Sequence, residues 1–162
     1  MDLRILFLAG LLALGPTARA EVSVLRLSYA GKTIDLSAAE VATLPHQSVT
    51  AVDGHDKKSH VYVGVPLRTL LARVGVPAGE KLRGPALRLV VIARARDGYG
   101  VAYALAEFDQ AFSDRTILLV DRQDGQPLPP NIGPWRIVAP GDQRPARWAR
   151  MITALEVVSV GN

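Results

Sequence analysis

Gly64-Val65-Pro66-Leu67-Arg68-Thr69-Leu70-Leu71-Ala72-Arg73-Val74-Gly75 joins a strand to a helix. The strand side is His60 to Val63, which is β-rich. Pro66 suits the first position of a helix. Leu67, Leu70, Leu71 and Val74 then recur at helical spacing, which gives the helix one apolar face. Gly75 ends it as a C-terminal cap.

Working outward, strands dominate. Val22 to Tyr29 alternates, with Leu25, Leu27 and Tyr29 on one face. Ala30-Gly31-Lys32 turns it into a return strand from Thr33 to Leu36. Ser37-Ala38-Ala39-Glu40 is a capping box for a short helix that Pro45 stops. Gln47 to Val52 is a strand, and Asp53 to Ser59 a polar loop. Leu87 to Ala95 is nearly continuous in apolar residues, the mark of a central strand. Asp97-Gly98-Tyr99-Gly100 turns it into a second strand from Val101 to Leu105. Ala106 to Phe112 reads as a short helix and Thr116 to Val120 as a strand. Gln123 to Gln126 is a turn, and Pro129 to Pro134 a rigid loop. Trp135 to Ala139 and Ile152 to Val160 are strands, with a loop at Pro140 to Ala146 between them. The expected fold is α+β, with mixed β-sheets and short peripheral helices.

The chain has 162 residues, 49% apolar and 21% charged, with no cysteine. This is a globular composition. The lack of cysteine excludes disulfides, iron–sulfur clusters, thiolate metal sites and a cysteine nucleophile. The pI of about 9.8 comes mostly from arginine. Arg4 precedes an apolar run from Ile5 to Leu14. Gly15-Pro16 breaks the run, and Ala18-Arg19-Ala20 follows. That is the three-part pattern of a secretory signal over residues 1–20, cut after Ala20. Ten apolar residues are too few to span about 30 Å of hydrocarbon. No cysteine follows for lipidation. The expected product is a single domain over residues 21–162, exported to the periplasm, with no transmembrane span.

No catalytic site assembles from the motifs. The Asp53-Gly54-His55-Asp56 loop with His60 holds metal-ligand residue types, but its spacing matches no standard site. No serine sits in a Gly-x-Ser-x-Gly elbow, and Gly98-Tyr99-Gly100 is a turn, not a phosphate loop. The C-terminal segment is richer. Gly133-Pro134-Trp135-Arg136 enters a strand, Pro140-Gly141 leaves it, and Arg144, Arg147, Trp148 and Arg150 follow. Guanidinium groups pair with anionic or planar ligands, and indoles offer stacking faces. The same residues also serve as core or solubilising groups. Nucleic acid is a poor match, because the charge is modest and no stacking platform repeats.

These motifs form an ordered series. A strand and polar loop lead to Gly64 through Leu71 and Gly75. Ala95-Arg96-Asp97-Gly98-Tyr99, Ile117 to Val120 and Asp124-Gly125-Gln126-Pro127-Leu128 follow. Gly133-Pro134-Trp135-Arg136-Ile137-Val138, Pro140-Gly141 and a closing strand after Trp148 complete it. From about Ser48 to Val158 the series resembles the molybdopterin-binding domain of the sulfite-oxidase family. Redox enzymes of that family hold molybdenum through a cysteine in the loop before the Gly-Val-Pro-Leu helix. The corresponding loop here, Ala51 to His60, has none, and His or Asp does not replace a soft thiolate equivalently. The chain is similar to stand-alone periplasmic members, some of which resemble pterin-binding proteins that act with membrane signalling receptors.

The resemblance implies a non-catalytic protein that binds a pterin or molybdopterin-like heterocycle without molybdenum. Its partner would be a membrane receptor or a redox protein. The implied pocket gathers the loops Asp53–His60, Arg96–Tyr99, Asn131–Arg136 and Gly141–Trp148. Arg96, Arg136 and Arg144 are the expected polar contacts, and Tyr99, Trp135 and Trp148 the stacking rings. Asp97 is the acceptor for a pterin amino group and ring N–H. The alternatives are a molybdopterin-dependent oxidoreductase or a subunit of one, and a partner-binding module with a vestigial pocket.

Overall fold

The structure, a computed structural model, describes residues 23–161. The signal segment over residues 1–20 lies outside the described residues. The strands are β1 (Val24–Tyr29), β2 (Lys32–Ser37), β3 (Gln47–Val52), β4 (Ser59–Pro66), β5 (Leu89–Ala95), β6 (Gly100–Ala104), β7 (Leu118–Gln123), β8 (Gln126–Pro127), β9 (Arg136–Val138) and β10 (Ile152–Ser159). The α-helices are α1 (Ala38–Ala42) and α2 (Leu67–Val74).

One sheet has the order β2-β1-β10-β5-β6, and β1 and β10 pair in parallel while its other pairs are antiparallel. The second has the order β3-β4-β7-β8, with β9 against β7. The mixed-sheet α+β expectation therefore holds. Alternation buries Leu25 and Leu27 of β1, Val91 and Ala93 of β5, and Leu155 and Val157 of β10. The second sheet and α2 join the same core through Tyr62, Val65, Leu118 to Val120, Leu67, Leu70 and Leu71. Helix α2 rests against β1, β2 and β4, so it touches both sheets.

Ser37 caps α1 as its sequence predicts: Ser37 Oγ accepts the Glu40 amide at 3.3 Å, and Glu40 Oε2 accepts the Ser37 amide at 2.8 Å. Gly75 ends α2 with φ of 82°, a conformation that costs glycine little. Some boundaries differ from the sequence reading. Pro66 is the last residue of β4 and the N-cap of α2, not its first helical residue. Pairing with β7 holds it extended, and the Leu67 amide bonds the Ile117 carbonyl at 3.0 Å. Leu87 belongs to a 3-10 helix, Gly84–Arg88, and not to β5. The expected helix from Ala106 to Phe112 is one 3-10 turn, Leu105–Phe108. β7 starts two residues later than expected and continues to Gln123, because β4 and β8 supply ladder partners beyond Val120. No helix among the described residues is long and apolar enough to cross a membrane.

Candidate functional site

β5 delivers the Arg96–Tyr99 turn to one end of the molecule, and β10 starts from the same end. Three of the four expected loops meet there. His55 comes from the loop after β3, Asp97 and Tyr99 from the β5–β6 turn, and Pro145, Ala146 and Trp148 from the loop after β9. With Ala149 and Arg150 they line an open cleft of about 210 Å³.

Its walls are fixed by named contacts. Asp97 Oδ1 accepts the Tyr99 amide at 2.9 Å, an Asx turn that orients the tip. The Tyr99 hydroxyl donates to the Ala146 carbonyl at 2.8 Å, so a half-exposed ring is held in one orientation. The next carbonyl, Arg147 O, accepts the Tyr103 hydroxyl. Trp148 Nε1 donates to Ala139 O at 3.0 Å. The Arg147 guanidinium binds Asp142 at 2.8 and 3.0 Å and Glu107 at 3.1 Å, and sits 4.6 Å from the Tyr103 ring centroid. Arg115 joins the same two carboxylates. Burial pushes the Asp142 carboxyl up, but Arg147 and Arg115 outweigh it and hold the group below its ordinary value. On the opposite wall Gly54 packs on Pro145 so closely that a Cβ would lie 2.0 Å from Pro145 Cγ. The two loops are thus interlocked.

Behind Trp148 lies a buried charged cluster. Arg136 is 1% exposed and Asp53 6% exposed. Arg136 Nη1 donates to Asp53 Oδ2 at 3.0 Å, and the Tyr62 hydroxyl donates to the same oxygen at 3.0 Å. Asp53 Oδ1 accepts the His55 amide at 2.8 Å. Burial pushes the Asp53 carboxyl up, yet these donors win and hold it at about 2. The guanidinium carbon lies 5.4 Å from the Tyr62 ring centroid and 5.7 Å from that of Trp148. Arg136 Nε is buried without a partner among the described residues.

His60 closes the first loop. Its Nδ1 is 2.5 Å from Asp124 Oδ2 and its Nε2 2.8 Å from Asp56 Oδ2. Hydrogen bonds to Asp124 and Asp56 raise its pKa, since only the doubly protonated ring satisfies both carboxylates. The remaining oxygens of Asp56 and Asp124 accept the Lys58 and Val61 amides. The carboxylates of this loop are therefore engaged within the protein. Among the described residues no three His, Asp or Glu groups are placed to hold a metal.

The expected site residues separate. Asp97, Tyr99 and Trp148 line the cleft, although Trp148 is mostly buried. Arg96 turns to a neighbouring cleft of about 140 Å³ with Pro134, Trp135 and Met151. Arg144 is exposed at the start of a 3-10 turn, Pro145–Arg147, with no ion pair among the described residues. Trp135 is 2% exposed, and Arg136 faces Asp53 inside the molecule. The loop Asn131–Arg136 thus lines the neighbouring cleft and not the main one. Sequence reading did not find Tyr62, Tyr103, Glu107, Asp142 or the Asp53–Arg136 pair. Their partners lie up to 83 positions apart, which leaves no local pattern.

The profile of the oxidoreductase molybdopterin binding domain family matches residues 28–161. No curated protein matches the sequence. Among solved structures the chain is similar to the sulfane dehydrogenase SoxCD from Paracoccus pantotrophus, with a TM-score of 0.65 and 18% identity. The match covers 86% of this chain and 39% of that one, so the likeness concerns the fold. The chain belongs to the oxidoreductase molybdopterin binding domain family.

Proposed function

We propose that this member of the molybdopterin-binding domain family is an exported protein that binds a pterin or related heterocycle in the His55–Asp97–Tyr99–Trp148 cleft, without molybdenum. One observation carries the reading: a fixed, half-exposed tyrosine ring stands beside a carboxylate in a cleft that three loops build. A flat heterocycle stacks on such a ring. Asp97 Oδ2 is an acceptor for an amino group and a neighbouring ring N–H, while Oδ1 is kept by the Tyr99 amide.

Molybdenum does not fit the donor set. The family's metal needs a soft ligand, and this chain carries no thiolate. In the loop where one is expected, Asp53 and Asp56 accept bonds from the protein's own amides and side chains, and both His60 nitrogens face carboxylates. No redox step is assigned to these residues. Binding in the periplasm and presentation of the loaded protein to a membrane receptor is the role that suits such a chain.

Calorimetric titration with a tetrahydropterin tests the reading. Binding should weaken about tenfold or more in Tyr99→Ala, where the stacking face is lost. A similar loss is expected in Asp97→Asn, where one acceptor site becomes a donor. If the unmodified chain binds no tetrahydropterin, or if both variants bind it as tightly as the unmodified chain, the assignment fails.

A further inference from the structure

At the end opposite the cleft, the structure brings an apolar groove and an excess of basic residues together. β5 separates the two ends, with Leu89 at one and Ala95 at the other, about 20 Å apart for six steps along the strand. The groove lies between α2 and the 3-10 turn Leu105–Phe108. Leu71, Val76, Leu82, Leu105 and Phe108 line it, Arg68 stands on its rim, and it encloses about 50 Å³. One water needs about 10–15 Å³ of such space, so the groove has room for the tip of one large side chain.

Its surroundings are apolar and exposed. Leu87 is 47% exposed, Phe112 51% and Val160 50%. The Val160 amide bonds the Arg88 carbonyl, which places Val160 beside the Gly84–Arg88 turn that carries Leu87. The Phe112 amide bonds the Asp109 carbonyl, and Asp109 Oδ2 accepts the Gly79 amide at 2.6 Å. Thus Phe112 is tied to the same rim.

The charge is one-sided. Between residues 68 and 88 the chain carries Arg68, Arg73, Lys81, Arg83 and Arg88 against the single acid Glu80. None of those five bases forms an ion pair among the described residues. Asp109, the acid lining the groove, gives its second oxygen to the Ala111 amide. Glu107, in the turn beside the groove, is taken up by Arg115 and Arg147, so the unpaired bases of residues 68–88 stand in excess at this end.

We propose that this end docks an acidic segment of a partner protein that inserts one phenylalanine or leucine into the groove. The apolar lining selects the inserted side chain, and the basic rim selects the acidic flanks and speeds encounter. A second copy of this chain is a poor occupant, since a net charge of +4 repels its like. A flat anionic bilayer meets the rim but does not enter a concave groove. The proposal is independent of the cleft reading.

Fluorescence polarisation of the full chain at low ionic strength tests it. The probe is a labelled peptide with one central phenylalanine flanked by glutamates. Parallel samples carry the alanine version of that peptide, or phosphatidylglycerol–phosphatidylcholine vesicles. The chain should bind the phenylalanine peptide and not the vesicles. Affinity should fall about tenfold or more in the alanine peptide, in Ala78→Trp, which fills the groove from its rim, and in Arg83→Glu/Arg88→Glu. Added salt should weaken binding. The two glutamates replace exposed side chains, so that variant keeps its fold, and all variants should bind tetrahydropterin like the unmodified chain. Absence of peptide binding at low salt, or equal affinity for both peptides, overturns the proposal. So does vesicle binding that Arg83→Glu/Arg88→Glu abolishes, which would make this end a membrane face.

Discussion

Arg136→Met removes a buried guanidinium while keeping an unbranched stem of similar length. The guanidinium also lies over the Tyr62 and Trp148 rings, so the variant loses those two contacts together with the 3.0 Å bond to Asp53. Asp53 is then left ionised and buried, with only the His55 amide and the Tyr62 hydroxyl as donors. Breaking a buried pair from one side costs about 3–5 kcal/mol. The lowered pKa of Asp53 gives a second figure. The folded carboxyl is held at about 2 against an ordinary value of 3.8. That difference is worth about 2–3 kcal/mol at neutral pH and includes the bonds to His55 and Tyr62. Both figures exceed the cost of losing an exposed pair, about 0–1 kcal/mol.

The double variant Arg136→Met/Asp53→Asn removes the orphaned charge, and asparagine still accepts through its side-chain oxygen. It should recover about 2 kcal/mol of the loss. Urea unfolding followed by the fluorescence of the buried Trp135 and Trp148 measures all three variants, including Asp53→Asn alone. In the unmodified chain this stabilisation is complete above the ordinary carboxyl value and disappears as pH falls through about 2. In Arg136→Met the acid loss should begin at higher pH, because the Asp53 pKa rises. A double variant whose loss equals the sum of the two single losses would refute the argument: Arg136 and Asp53 would then not be energetically coupled.

Three further outcomes follow from the same geometry. His60 has a raised pKa, so its contribution to stability is complete below 6.5 and fades as pH rises through the folded value; thermal melting against pH should show that decline, and His60→Gln should remove it. Gly54→Ala forces a Cβ against Pro145 and must part the two loops; differential scanning calorimetry should show a loss of about 1–3 kcal/mol, and tetrahydropterin affinity should fall with it. Leu70→Ala empties a fully buried position of α2 and should cost about 2–5 kcal/mol by chemical unfolding, with or without ligand.

The parts of the fold legible in the sequence are those governed by local periodicity and capping. Leu25 and Leu27 alternate because one face of β1 is buried, and Leu67, Leu70, Leu71 and Val74 repeat because one face of α2 is. Ser37, Glu40 and Gly75 mark helix ends through bonds that span a few residues. Boundaries set by distant partners were less legible. β7 outruns its apolar stretch because β4 and β8 offer ladder partners to Arg122 and Gln123. The segment stops after one 3-10 turn at Leu105–Phe108 because Asp109 departs into extended geometry, although Glu107 caps its start through the Ala104 amide.

The candidate site divides along the same line. Asp97 and Tyr99 stand two residues apart in a turn whose shape their own contacts define; local sequence marks the turn, and the family resemblance is what named it as part of a pocket. Arg136 and Asp53 are far apart in sequence, and neither has a local pattern that distinguishes a ligand contact from a buried ion pair. Residue type alone favours a surface role for arginine, since it is rarely buried unless paired. The deciding quantity is the partner. Asp53 sits in the loop whose other side, through Gly54 and His55, reaches Pro145 and the cleft. Arg136 thus acts on the cleft from behind: it holds the carboxylate that holds the His55 amide, and it packs against the inner face of Trp148. On this geometry, substitutions at Arg136 reduce ligand affinity only by loosening the loop, in step with the loss of stability. Substitutions at Tyr99 reduce affinity by removing the stacking face, and the larger share of their effect falls on binding.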